Sequence, residues 1–551
     1  MEHLSEKRKV SIMIAIMAAM FFSAINQTII GVAMPRIIAK LGGMDYYTWA
    51  ITIYLLTSTV ATILVGKLSD IYGRKPFILT GIAVFMLGAF LSGFSRDIIE
   101  LIFYRGIQGL GAGIIMSTAF TAVGDLYAPR ERARWTGLMS GIFGLSSVLG
   151  PPVGGYIVDH LDWHWVFWMF LPLGIVAFIM IIMLFPKVER REGESIDYLG
   201  SLFLTTTIVP LLLAFSWAGQ GEGKYPWGSW QIIGLFAITV VSLLIFIIVE
   251  TKAKSPVLPL SLFKNSVVTV SNLAGFVLNA GMMGAIIYVP FFVQGVKGIS
   301  PTYSGYVTMP MSIGMIVTMA FVGQLIAKTG KYKKIAILGL VVMAVGMTLL
   351  HFMHMDTPIY VTVLYMCVVG LGLGISMPVF SLTVQNAVEP KQLGVATASS
   401  QLFRSLGGTI GIAIMGTVMA SRMSSKLAEQ FASEGGAAQQ VPIDPAMAEQ
   451  MKEFLNPQAL LDQPKLAEFM AGLPADVQVM FNQLLDKLRE ALSYGVTSTF
   501  LAGAVVTIVA VVLTLFLKEI PLRSAKDAKP EEGKAAGKVR KKELVKPRTE
   551  S

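Results

Sequence analysis

Charged residues are scarce in this chain of 551 residues. Asp, Glu, Lys and Arg together make up only 14% of the sequence, against about 25% in typical soluble domains. Apolar residues make up 54%, and the mean hydropathy is +0.66. This composition argues against an ordinary soluble protein and indicates a polytopic membrane protein.

Cysteine, histidine and the common catalytic motifs are also rare or missing. The single cysteine, Cys367, lies in an apolar run, so no intramolecular disulfide can form. The five histidines have no metal-binding spacing, and the sequence contains neither a Gly-x-x-x-x-Gly-Lys-Ser/Thr phosphate loop nor a His-Glu-x-x-His motif. We therefore expect no enzyme, no ATP-driven pump, no cofactor and no metal site.

Apolar stretches long enough to cross a bilayer occur fourteen times, each about 20 residues in length. We predict spans at 10–34, 47–66, 77–95, 99–123, 135–158, 165–186, 197–217, 229–249, 266–292, 303–327, 333–352, 358–383, 394–420 and 494–518. The first span is too long for a signal-peptide core, so we expect it to be retained.

Basic residues predict the orientation of these spans. They cluster in alternate loops, which the positive-inside rule places in the cytoplasm: Lys67, Arg74, Lys75, Arg130, Arg132, Arg134, Lys187, Arg190, Arg191, Lys252, Lys254, Lys328, Lys331, Lys333 and Lys334. Both termini are then cytoplasmic, in a multi-pass protein of the plasma membrane. This orientation and the Lys-rich tail account for the net charge of +10, so we expect the lipid bilayer as a partner and no nucleic acid.

The sequence repeats itself. The run Gly66-Lys67-Leu68-Ser69-Asp70-Ile71-Tyr72-Gly73-Arg74-Lys75-Pro76 returns as a weaker copy between Gly323 and Lys333, and Gly109-Leu110-Gly111-Ala112-Gly113 returns at Gly370 to Gly374. Spans one to six and nine to fourteen thus form two halves, with spans seven and eight inserted between them. The predicted domains are 1–190 (first six-helix bundle), 191–260 (inserted pair), 261–420 (five helices of the second bundle), 421–493 (extracellular helical insertion), 494–518 (last span) and 519–551 (basic tail).

These features closely resemble the fourteen-helix drug:proton antiporter branch of the major facilitator superfamily, the EmrB/QacA type. The run from Gly66 resembles that family's motif A, Arg105 to Gly111 its motif B, and Gly150-Pro151-Pro152-Val153-Gly154-Gly155 its motif C. The resemblance implies an all-α fold of two six-helix halves plus two inserted helices. It also implies a monomeric secondary transporter that exports hydrophobic or amphiphilic compounds by proton antiport and alternating access, with small molecules and protons as its ligands.

In the family, motif A controls opening at the cytoplasmic side. Asp70 would pair with Arg74 and face the N-terminus of the thirteenth span, and Asp125 would compete for Arg74. Gly66 and Gly73 complete this predicted gate. The alternative is a solvated charge cluster that only fixes orientation.

Two further motifs have predicted roles. Arg105 lies inside the fourth span, where a charge is costly unless it faces the bundle interior, and with Glu100 it is a candidate for proton coupling. Snorkelling of Arg105 to the interface is the alternative. Gly150, Pro151, Gly154 and Gly155 of motif C are predicted to let another helix approach closely, although small-residue seams occur in many bundles.

The first span departs from the family pattern. Family members commonly carry an Asp where this chain has Asn26, and an amide cannot titrate. No Asp or Glu lies deep in any predicted span, so Glu100, Asp70 and Asp125 remain for proton coupling. The alternatives are an exporter or flippase of neutral or anionic amphiphiles or lipids, or an uncoupled facilitator. The predicted substrate cavity contains Asn26, Gln27, Tyr54, Asn279 and Arg404.

The polar segment 421–493 is predicted to lie outside the membrane. Asp444 to Leu455 and Pro474 to Tyr494 are typical of amphipathic helices, the second with an apolar stripe formed by Val477, Met480, Leu484 and Leu488.

Overall fold

The computed structural model describes residues 5–127, 129–186, 197–219, 225–253, 256–389, 392–433 and 459–521, and within these ranges it is helical with no β-strand. The helices are α1 Glu6–Leu41, α2 Tyr47–Tyr72, α3 Arg74–Ser92, α4 Ile98–Leu126, α5 Pro129–His160, α6 Trp165–Trp168, α7 Leu171–Leu184, α8 Tyr198–Trp217, α9 Trp230–Lys252, α10 Ser266–Phe291, α11 Pro301–Thr329, α12 Lys333–His351, α13 Ile359–Asn386, α14 Leu393–Ser433, α15 Gln463–Ala471 and α16 Ala475–Leu515.

Each predicted span coincides with a helix. In the described ranges, 13 helical segments are long and apolar enough to cross a membrane, and the shorter apolar segment Trp49–Thr62 in α2 is the fourteenth. The sixth span is formed by α6 and α7 together. The prediction of an all-α polytopic membrane protein is confirmed.

The internal repeat is visible in how the helices pack. In the first half α4 packs between α2 and α3, and in the second half α13 packs in the same way between α11 and α12. A methyl group added to Gly111 would lie 2.3 Å from the backbone nitrogen of Phe85, and one added to Gly372 would lie 2.4 Å from that of Met343. The repeated glycines are therefore the points where helix backbones come closest.

The inserted pair lies along one side of the junction between the halves. α8 packs against its partner α9 and also against α2 and α14, one helix from each half. Leu204 and Leu212 of α8 share an apolar cluster with Leu56 of α2 and Leu402 of α14. The halves also meet where α5 packs directly against α11.

Helices α14 and α16 extend beyond the membrane. Each has 41 residues, about 60 Å of helix, which is roughly twice the thickness of the hydrocarbon core. Their extensions contact each other, with Lys426 Nζ 3.7 Å from a carboxylate oxygen of Glu490. Neither helix is interrupted at the predicted borders 420 and 493.

The apolar stripe of the insertion belongs to α16. Val477 and Leu488 are buried, Met480 and Leu484 are half-buried, and Phe481, fully buried, lies at the centre of the stripe. The predicted helix from Asp444 to Leu455 lies outside the described residues.

Contacts between the halves concentrate at the end of the bundle where α1 ends and α11 begins, which we call the predicted outer face. There Tyr47 donates its hydroxyl proton to the carbonyl of Ile287 (3.3 Å), and Gln294 donates to the carbonyl of Val32 (2.9 Å). The insertion adds an ion pair, because Asp462 contacts Arg36 of the first half. Polar and ionic contacts thus join the two halves at this face.

Candidate functional site

A chain of hydrogen-bonded side chains crosses the interior of the first half. Arg105, which is only 1% exposed, donates from Nη1 to Gln108 Oε1 (2.7 Å), and Gln108 Nε2 donates to Asn26 Oδ1 (3.0 Å). Asn26 is fully buried, and its own amide faces the carbonyl of Val166 at 3.4 Å. The chain connects α4 to α1 and contains no carboxylate.

The other side of Arg105 contacts an aromatic ring. Its guanidinium carbon lies 4.3 Å from the ring centroid of Tyr54 on α2, a cation–π geometry. The Tyr54 hydroxyl lies 3.4 Å from Ser23 Oγ of α1. Arg105 Nε is buried and has no hydrogen-bond partner among the described residues. Burial of the whole side chain rules out snorkelling in this conformation.

Glu100 lies apart from this chain. It belongs to the first turn of α4, and its Oε2 accepts a hydrogen bond from the backbone N–H of Arg96 (3.0 Å). Asp97, the N-cap of the same helix, accepts from the N–H groups of Ile99 and Glu100. Both carboxylates therefore accept hydrogen bonds from backbone N–H groups at the N-terminal end of α4 in this conformation.

A second arginine occupies the interior of the other half. Arg404 lies 11 residues beyond the start of α14, about 16 Å along the helix axis. Nη1 donates to Ser381 Oγ of α13 (3.0 Å), and Nη2 donates to Gln401 Oε1 (2.6 Å). Asn279 of α10 donates to the carbonyl of Arg404 (3.0 Å).

Both arginines have only neutral partners. Among the side chains that the structure describes, no carboxylate lies within 4 Å of the guanidinium of Arg105 or Arg404. A charge in a membrane interior is costly unless it is paired or hydrogen-bonded, and here neutral groups supply all of the stabilisation. Among the described residues, the two guanidiniums are therefore cations without a paired anion.

The predicted cavity residues do not all meet. Asn26 and Asn279 form their hydrogen bonds within their own halves. Gln27, one residue beyond the buried Asn26, is exposed, and a methyl group added to Gly31 would meet nothing within 4 Å. Gln27 and Gly31 lie one helical turn apart, so this stripe of α1 borders open space in the span.

Motif C packs against two helices. A methyl group added to Gly150 would lie 2.0 Å from Thr28 Oγ1, and one added to Gly154 would lie 2.8 Å from the carbonyl oxygen of Ile29, both on α1. Towards α11, a methyl group added to Gly155 would lie 2.2 Å from the carbonyl oxygen of Pro301. In the other direction, a methyl group added to Gly305 of α11 would lie 2.3 Å from the carbonyl oxygen of Pro151. The α5–α11 contact is thus reciprocal and formed by backbone.

Motif A is described only in part. Gly73 has a φ of +90°, which favours glycine, and it separates α2 from α3, which begins at Arg74. Lys75 of the same motif donates to the carbonyls of Ile182 and Phe185 at the C-terminal end of α7 (2.7 and 2.6 Å). The side chains of Asp70 and Asp125, and the environment of Gly66, lie outside the described residues.

Sequence reasoning missed Gln108, Ser381 and Gln401. Two of these have a readable signal, because Gln108 and Gln401 each lie three residues from an intramembrane arginine, which is close enough for contact on one helix. Ser381 comes from another helix, so no local pattern indicates it.

Comparisons with known proteins agree with this architecture. The family model described as Major Facilitator Superfamily matches residues 16–412. The Multidrug transporter protein MdtP of Bacillus subtilis is 40% identical over 537 residues, 97% of either chain. Multidrug resistance protein 3 of the same organism is 31% identical and covers 92% of this chain and 94% of its own. Among solved structures, a bacterial homologue of the human lysosomal transporter Spinster, in an inward-facing and occupied conformation, matches with a TM-score of 0.64 and 14% identity, over 96% of this chain and all of that one.

Proposed function

Because the chain belongs to the major facilitator superfamily, we propose that it exports hydrophobic or amphiphilic drugs by alternating access, in exchange for protons. The observation that carries this proposal is the 40% identity, over nearly the full length of both chains, to a protein named as a multidrug transporter. Two homologous halves around an interior with buried polar groups are the architecture that alternating access requires.

Contacts at the predicted outer face support a rocking mechanism. Their polar part consists of single hydrogen bonds and one ionic cluster, and it includes the N–H of Thr302 donating to Asp159 Oδ2 (2.7 Å). Groups of this kind can exchange protein partners for water when the halves separate, although opening must also part the apolar contact of Tyr47 with Phe291 and the backbone contact between α5 and α11. We place this face outside the plasma membrane, with both termini in the cytoplasm and the monomer as the working unit.

Proton coupling is the finer part of the proposal. Asn26, at the family's acidic position, is bonded to Gln108, and the chain from Asn26 to Arg105 contains no group that can lose a proton at neutral pH. Coupling would then run through carboxylates near the membrane faces. We propose Asp70 and Asp125 with Arg74 at the inner gate, and Glu100 at the outer end of α4.

The test is energised efflux from cells that express the chain. A cationic dye and a neutral drug are loaded, and their export is followed with and without a protonophore. We expect export that stops when the gradient collapses, and at least a tenfold loss in Asp70→Asn at unchanged expression. Asp486→Asn, an exposed carboxylate on the α16 extension, is the control. Export that survives the protonophore would contradict coupling, and normal export by Asp70→Asn would contradict the gate.

An uncoupled facilitator or a flippase is the second candidate, favoured by the amide at position 26. Under that alternative, Asn26→Asp alone would give proton-dependent export of the cationic dye. The wild type would then equilibrate its substrate without a gradient.

A further inference from the structure

We propose that the cargo of this chain carries an acidic group, which binds to Arg404. The inference rests on the proposed export function and names its substrate class: amphiphiles with a carboxylate or a comparable anion. It follows from the charge of the bundle interior and from the partial exposure of one of its two arginines.

The positive charges of Arg105 and Arg404 have no counter-charge among the described residues. Arg105 and Arg404 are hydrogen-bonded to Gln108, Ser381 and Gln401, all of them neutral. Neutral hydrogen bonds offset only part of the cost of holding a cation away from water. A bound anion would offset more of this cost, whereas a lipophilic cation would add repulsion in a medium of low dielectric constant.

Accessibility distinguishes the two arginines. Arg105 is enclosed, with one face on the ring of Tyr54. Arg404 is half-buried, and its neighbour Gln401 is exposed although both lie within a membrane-spanning segment. A polar, accessible pair at this depth indicates a cavity rather than lipid.

Arg404 has an unused hydrogen-bond donor. Its Nε is buried and has no partner among the described residues. Nη1 and Nη2 are held by single neutral acceptors that a carboxylate could replace. A guanidinium with two exchangeable bonds and a free Nε–H can bind a carboxylate in bidentate geometry.

Small and adaptable residues line these groups. A methyl group added to Gly408, one turn beyond Arg404, would meet only the side chain of Met283, at 3.5 Å. One added to Gly275 on α10 would lie 3.6 Å from Cγ of Arg404. The thioether of Met283 can adapt to varied apolar bodies, so the site pairs a fixed cation with a tolerant apolar wall.

The experiment compares three probes with one fluorophore and different charges: dansylglycine (an anion), its methyl ester (neutral) and dansylethylenediamine (a cation). Transport is measured in proteoliposomes with an imposed proton gradient, and equilibrium binding is measured on the purified chain in nanodiscs. We expect the wild type to prefer the anion at least tenfold in both assays. In Arg404→Gln the binding and transport of the anion should fall to the level of the ester, and Arg404→Lys should keep part of the preference.

Arg422→Gln is the matched control, because Arg422 is an exposed arginine of the same helix beyond the bundle. Wild type that handles the cation or the ester as well as the anion overturns the inference and leaves the export function standing. If no probe moves, the export function fails, and the binding assay alone decides the inference. Failure of the anion to bind, or equal binding by Arg404→Gln, then overturns it.

Discussion

At the scale of single residues, the surroundings of Arg105 were predictable from the sequence only in part. A charge inside an apolar span predicts an interior position, and the side chain is buried. Gln108 could have been found from its helical spacing, since it lies three residues further along α4. The bond from Gln108 to Asn26 joins α4 to α1, and no local pattern encodes such a contact between helices.

We predict that Gln108→Met destabilises the protein, because it removes the hydrogen-bond acceptor of a buried guanidinium and the donor to Asn26. The loss should be about 2–3 kcal/mol, seen as a lower melting temperature in detergent, together with reduced transport. Gln27→Met, at an exposed position on α1, is the control and should melt like the wild type. A Gln108→Met protein of normal stability would mean that the chain of polar residues does not support Arg105.

The ring of Tyr54, rather than its hydroxyl group, should matter for Arg105. Tyr54→Phe keeps the aromatic face at the guanidinium and should retain most activity, whereas Tyr54→Leu should lose about 1–2 kcal/mol of stability and most transport. Melting curves and efflux measured in parallel check this prediction. Equal melting temperatures and equal efflux of the Phe and Leu variants would show that the cation–π contact contributes to neither stability nor transport.

At the scale of elements, the glycine runs of α4 and α13 combine a part that was predictable with a part that was not. The repeat and its spacing are visible in the sequence, and small residues predict close helix packing. The helix that each glycine contacts is determined by the three-dimensional packing. Gly109 and Gly113 contact α2, whereas Gly111 contacts α3. The ends of α14 and α16 were not predictable either, because each helix continues without a break past the predicted end of its membrane span.

Gly111→Ala and Gly372→Ala should each lower the yield of folded protein, since the new methyl group would overlap the backbone of Phe85 or Met343. We expect a cost of about 1–3 kcal/mol for each change, measured as monodisperse protein after extraction and as a shift in melting temperature. Gly31→Ala, whose methyl group meets nothing within 4 Å, should be neutral. A full yield from both packed variants would show that the helices can separate without cost.

At the scale of the whole molecule, hydropathy alone predicted the number and order of the spans, because the bilayer imposes a fixed length of apolar helix. The contacts that join the halves could not be predicted. Asp462 lies in the insertion, 426 positions from Arg36, and only the fold brings the two together. Lys40, one turn beyond Arg36, has its Nζ 3.9 Å from the same carboxylate.

Asp462→Asn should loosen the predicted outer face, because Arg36 and Lys40 lose their shared counter-charge. The assay uses a Cys367→Ser background that carries Tyr47→Cys, a buried position at this face, and an impermeant maleimide added from outside. Labelling should become several-fold faster in Asp462→Asn and remain unchanged in Asp486→Asn, which lies on the exposed side of α16. Unchanged labelling in both would assign the ionic cluster a role in folding only.

The uncompensated charge of Arg105 and Arg404 has an electrical consequence. If a cargo anion leaves the cell as one proton enters, each turnover carries two positive charges inward. Each charge gains about 2.3 kcal/mol per 100 mV of membrane potential, so a potential of about 100 mV would supply about 5 kcal/mol per cycle, twice the gain for a neutral cargo. An anionic cargo selected by Arg404 would thus make its expulsion depend on the membrane potential twice as steeply as that of a neutral cargo.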